Sequence, residues 1–167
     1  MKQKQRAGGI KIPARQIAFT SALLALCIGV QQFKALSQFI TGPLVNAILV
    51  LAVLRVGLWS GMAIAVLSPA LAFLIAPAPV LLAVPQLLPL IMLANAALAL
   101  CVQLGGKKRF AVGLILGIAL KPLVLFLGVL CIVPGALSAM FSVNQLITAV
   151  IGGALAWMAD RVFPTKV

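Results

Sequence analysis

Histidine and tyrosine are missing from this 167-residue chain, and Asp160 is its one acidic side chain. Each absence closes off a class of chemistry. Metal-assisted hydrolysis draws its ligands from His, Asp and Glu, and general acid–base catalysis usually needs a histidine or paired carboxylates. Proton-coupled carriage normally needs a titratable carboxylate or histidine within the membrane. The stretch GGKKRF (105–110) lacks the G-x-x-x-x-G-K-[ST] spacing of a phosphate loop and reads as a basic turn. The chain is therefore expected to be no enzyme, to use no cofactor or metal, and to have no nucleotide motor of its own.

Charge of any kind is scarce, at 8% of residues, while 64% are hydrophobic. A soluble domain of this size could not hide so much apolar surface. Long apolar stretches between short polar breaks make lipid the expected solvent. Thirteen Lys and Arg against one acid give a net charge of +12. Such a balance can signal nucleic-acid binding, but here the basic residues flank apolar segments, so no nucleic-acid partner is expected. Cys27, Cys101 and Cys131 sit inside apolar runs without metal-like spacing and read as small packing residues.

Six apolar segments follow a basic tail (1–15): about Gln16–Phe33, Pro43–Val56, Trp59–Ala76, Gln86–Leu104, Phe110–Val133 and Ser142–Phe163. The expectation is an all-α membrane protein, a bundle of six transmembrane helices over 16–163, with a short tail at 164–167. A span needs roughly 20 residues at about 1.5 Å each, so the second segment must borrow from its flanks. Gly42 and Pro43 read as the cap and first turn of that helix, and Gly57 and Gly61 bracket the connection that follows it. APAPVLLAVPQ (76–86) is apolar but too rich in proline for one regular helix, which suggests an outer loop or re-entrant piece.

Orientation follows from the basic residues. With a cytoplasmic N-terminus, that side holds Lys2, Lys4, Arg6, Lys11, Arg15, Arg55, Lys107, Lys108, Arg109, Arg161 and Lys166. Lys34 alone is outside and Lys121 is within the membrane, so both termini are placed in the cytoplasm. A reading of 1–30 as a signal peptide lacks a small-x-small cleavage pattern with a polar sequel.

Lys121, in GIALKPLVLF (117–126), is the residue that asks for an explanation. A mid-membrane lysine costs about 2.5–3.5 kcal/mol on insertion scales, and no apolar segment contains an acid. Either the ammonium bonds backbone carbonyls, such as that of Ile118 freed by Pro122, or it faces a pocket and meets a ligand's anionic group. Asn46, Asn95, Asn144 and Gln145 lie in the outer half or near the midplane, as do Lys34, Gln38 and Thr41 of QQFKALSQFIT (31–41). Singly, each amide reads more readily as interhelical glue. Together they suggest an outward-facing site, with Phe33, Phe39 and Phe141 as possible lining.

RQIAFTSALLAL (15–26) places Ala18 and Ala22 four residues apart, a flat strip on which another helix can pack closely. Gly57 and Gly61, and Gly113 and Gly117, offer similar steps, whose ordinary meaning is internal packing. With the basic tail, the six segments and the GPLVN start of the second (42–46), the chain resembles the substrate-binding S components of energy-coupling factor (ECF) vitamin transporters. The resemblance implies a bacterial plasma-membrane subunit whose Ala18 and Ala22 dock onto a membrane scaffold (T) subunit carrying two ATPases. It also implies an outward pocket for a vitamin or micronutrient, closed by outer loops, and toppling of the subunit during transport. Trp59 and Trp157 fall near the cytoplasmic interface, so the tryptophan-rich pocket of thiamine binders is lacking. The alternatives are a self-contained oligomeric carrier or anion channel, and an assembly protein that transports nothing.

Overall fold

A computed structural model describes residues 13–33, 38–106, 109–132 and 136–162, without the side chains of Gln38 and of 136–142. The described residues form seven helices and no strand. These are α1 (Ala14–Gln32), α2 (Gln38–Arg55), α3 (Leu58–Ile75), α4 (Pro79–Ala83), α5 (Leu87–Gly105), α6 (Phe110–Ile132) and α7 (Ala136–Val162). Four of them, α1, α3, α5 and α6, are long and apolar enough to cross a membrane. The α4 turn occupies the proline-rich stretch, where Pro77, Pro79 and Pro85 confine a helix to five residues.

The long helices close a ring in the order α1, α3, α5, α6, α7, α2, and α2 also packs on α3 and α5. The sequence of α2 explains its inner place. Asn46–Val50 are five consecutive buried residues, followed by Ala52 and Val53, so its apolar surface is covered on more than one face. The opposite holds for α1, in which Cys27 alone is buried.

Two expectations about helix starts are corrected. Gly42 and Pro43 do not begin α2; the helix starts at Gln38 and Pro43 lies inside it. Gly42 serves a different purpose, because a Cβ there would stand 2.8 Å from Thr148 Cγ2 of α7. The glycine marks a close helix contact rather than a cap. Likewise α7 begins at Ala136 rather than near Ser142, so Asn144 and Gln145 are its ninth and tenth residues. At about 1.5 Å per residue, that carries Gln145 roughly 13 Å into the helix.

The glycine steps face inward. A Cβ on Gly61, which lies within α3 rather than in the connection, would strike Val53 of α2, and one on Gly117 would come 2.7 Å from Leu98 of α5. Gly57, at φ 121, makes the connection itself, in a conformation that L side chains rarely adopt. Alanines 18 and 22 point outward instead and are exposed.

Candidate functional site

Every long helix buries a polar or thiol side chain. Cys27 of α1, Asn46 of α2, Ser68 of α3, Asn95 of α5, Lys121 of α6 and Thr148 of α7 are all buried. Lys121 is the twelfth of 23 residues in α6, about 17 Å from either end at the standard rise. Its side chain is only 4% exposed, so it does not snorkel to an interface.

The ammonium Nζ donates to Oδ1 of Asn46, across the ring from α6 to α2. The Ile118 carbonyl is not its partner, so the backbone-carbonyl explanation does not describe this lysine. Asn46 is held from behind by α7. A Cβ on Gly152 would lie 2.6 Å from both Asn46 Cβ and the Pro43 carbonyl oxygen, a contact only glycine permits. The amide nitrogen of Asn46 is buried without a partner. So is Oδ1 of Asn95, and a buried polar atom left unsatisfied costs about 1–3 kcal/mol.

Lys121 and Asn95 form part of the wall of a chamber of about 160 Å³. Gln31, Thr41, Gln145 and the apolar Ile91 and Leu125 stand with them. A second chamber of about 300 Å³ shares Gln31, Thr41, Ile91 and Gln145 and continues past Pro69, Phe73 and Leu81. Five of the nine residues around the inner chamber are polar, Lys121 among them, against three of the eleven around the outer one. Both lie where α1 and α3 end and α2 and α5 begin.

Local bonds steady the polar wall. Gln31 Nε2 donates to the Cys27 carbonyl at 3.1 Å, and Gln32 Nε2 reaches the Ala72 carbonyl of α3 at 3.4 Å. Thr148 Oγ1 donates to the Gln145 carbonyl at 3.1 Å. The chain's one acid is committed elsewhere. Asp160 Oδ1 is 2.7 Å from Arg55 Nε, and Arg55 Nη2 also donates to the Asp160 carbonyl at 3.1 Å. That pair joins the C-terminal ends of α2 and α7, the far ends from the chambers.

Of the residues expected at the site, Lys121, Asn95, Gln145 and Thr41 meet at the inner chamber, and Asn46 backs them through its bond to Lys121. Asn144 is half-buried and outside the chamber wall. Lys34 and the side chains of Gln38 and Phe141 lie outside the described residues. Phe33 and Phe39 are exposed, and the aromatic that does line the outer chamber is Phe73. Sequence reasoning also missed Gln31, Ser68 and Phe73. The Ser68–Pro69 step within an otherwise apolar helix was the available signal for that part of α3.

Chemically, an ammonium offers three donors, and one is used by Asn46. Two remain for an acceptor in the chamber. Neutral amides and a hydroxyl surround it, and no acid is among the residues lining either chamber. The arrangement suits an anionic group and disfavours a cation. In comparisons with known proteins, no family model, curated protein or solved structure matches the chain.

Proposed function

We propose that the chain is the substrate-binding membrane subunit of an ATP-driven importer of the ECF type, taking up a vitamin or related micronutrient that carries an anionic group. In this reading six helices span a bacterial plasma membrane, both termini face the cytoplasm, and the chambers open outward. The carrying observation is a buried lysine, with no acid beside it, in the wall of a chamber of about 160 Å³ that shares lining residues with one of about 300 Å³. One Asn46 bond to a charged donor is worth about 1.5–3 kcal/mol, against an insertion cost of about 2.5–3.5 kcal/mol. Because that partner is a neutral amide, the charge has no counter-ion beside it, and a bound anion would supply one.

The exposed alanines supply the second support. Ala18, Ala22 and Ala25 face outward from α1, the least covered of the four helices long and apolar enough to span a membrane. Small side chains there allow a scaffold helix to approach closely. Two partner ATPases bound to that scaffold would supply the energy that this chain has no motif to harvest.

Native mass spectrometry of the gently solubilised protein tests the proposal. Retention of a small anion, together with a membrane scaffold and two ATPases, is expected. The Ala22→Leu variant is expected to lose the scaffold and transport while keeping the ligand. Co-purification of an intact assembly with that variant would refute the docking role. Uptake by the chain alone in liposomes would point instead to a self-contained carrier.

A further inference from the structure

Lys121 brings one positive charge to the wall of the inner chamber, and no other residue lining that chamber is charged. The surrounding helices contribute neutral polar side chains: Gln31 from α1, Thr41 from α2, Asn95 from α5 and Gln145 from α7. Among the described residues the other cations are Arg15, Arg109 and Arg161, all exposed, and Arg55, which meets Asp160 at the far end of α2. No acid lines this chamber or its larger neighbour. The titratable side chain that interacts electrostatically with Lys121 is the Cys27 thiol of α1, and a thiol is neutral at acid to neutral pH.

The charge count therefore constrains the ligand. In apolar surroundings charges interact strongly, and one left without a partner is expensive. The chamber's volume of about 160 Å³ equals roughly five waters at about 30 Å³ each, which leaves little room for an anion to keep its hydration shell. One negative charge brings the chamber to neutrality. A second would sit there unneutralised. A zwitterion would place another ammonium beside Lys121, with no acid to receive it.

We infer that the chamber binds a singly charged anion, such as a carboxylate or a phosphate diester, and rejects dianions and zwitterions of similar size. The inference rests on the binding-subunit reading and adds the charge class of the ligand. It excludes free amino acids and phosphate monoesters in their dianionic form.

Two matched pairs of probes test it: dimethyl phosphate against methyl phosphate, and propionate against the amino acid alanine. Binding to the full chain in lipid nanodiscs is followed by ligand-observed NMR, with empty nanodiscs subtracted. A phosphate monoester has its second pKa at about 6, so methyl phosphate is about nine-tenths monoanion at pH 5 and about one-tenth at pH 7. Dimethyl phosphate has no second proton and keeps one charge, so it reports every other effect of pH. Relative to it, methyl phosphate is expected to lose affinity about tenfold from pH 5 to pH 7. At pH 7 propionate is expected to bind at least about tenfold more tightly than alanine, the equivalent of one charge-assisted hydrogen bond. Lys121→Met should abolish binding of dimethyl phosphate and propionate. The comparisons on the parent chain need no variant to fold.

A constant ratio of methyl to dimethyl phosphate across that range would overturn the inference. So would alanine binding as tightly as propionate, binding that survives Lys121→Met, or no binding by either monoanion. Native mass spectrometry separates these failures from failure of the importer. A retained dianion or zwitterion together with a scaffold and ATPases sinks the charge class and leaves the importer standing. The expected probe ranking without any scaffold or ATPase partner sinks the importer and supports the charge class.

Discussion

Arg55 and Lys121 are both nearly buried cations in an apolar bundle, yet the molecule treats them in opposite ways. Arg55 ends α2 and meets Asp160, while its Nη2 also donates to the carbonyls of Ala159 and Asp160 at the last turn of α7. Its charge is neutralised within the chain, and the interaction with a helix C-terminus is favourable in itself. Lys121 has no acid to meet. Its bond goes to a neutral amide, and the Nδ2 of Asn46 and Oδ1 of Asn95 are buried without partners. The first arrangement ties two helices together. The second leaves a charge with no acid among its neighbours, the feature on which the binding proposal rests.

That contrast can be attacked directly, and the largest effect is expected at Asn46. Asn46→Leu strips Lys121 of its partner and should destabilise the protein by about 3 kcal/mol, read by thermal unfolding in detergent. The double change Asn46→Leu with Lys121→Met removes both polar groups and should return stability to within about 1 kcal/mol of the parent. Ligand binding should not return with it. If the double variant also regains binding, the lysine is not the anchor.

Next in size is Gly152→Val. The added carbons collide with Asn46 and Pro43, so overpacking of about 1–3 kcal/mol is expected along with weakened binding. Unchanged stability would mean that α7 does not set the position of Asn46. The smallest effect belongs to the other cation. Asp160 is 45% exposed on its side chain, so Asp160→Asn should cost less than about 1 kcal/mol and leave ligand affinity alone. A binding loss there would show that the two ends of α2 are coupled and not separate.

The positions of most long helices were legible, and the reason is simple. Lipid demands long apolar runs with satisfied backbone, so α3, α5 and α6 start and stop within a residue or two of where hydropathy changes. The two misread starts, at α2 and α7, come from segments whose first turns are amphiphilic or rich in small residues. Hydropathy gives no edge there, and Gly42-Pro43 imitates a cap so well that only the contact with Thr148 shows its purpose.

The site was legible in part. A lysine in an apolar run is conspicuous on any reading of the letters, and so are the few amides. Which amides serve the lysine was not readable, because that depends on helix rotation. Asn144 and Gln145 are neighbours in sequence, but about 100° of helical turn separates them, and Gln145 alone reaches the chamber wall. Gln31 and Phe73 gain their importance from lining the outer chamber with Ile91.

Composition by itself determined that this chain is helical, suited to lipid, strongly cationic and burdened with one deep charge. Those follow from residue type and order alone, because solvent transfer and backbone satisfaction act locally. Only the tertiary structure decided what that charge faces. The ring order brings α2 across from α6, Gly152 lets α7 press Asn46 toward Lys121, and a chamber opens beside them where α1, α2, α5, α6 and α7 fail to close completely. Distances between helices are set by packing of side chains far apart in sequence, and no local rule contains them.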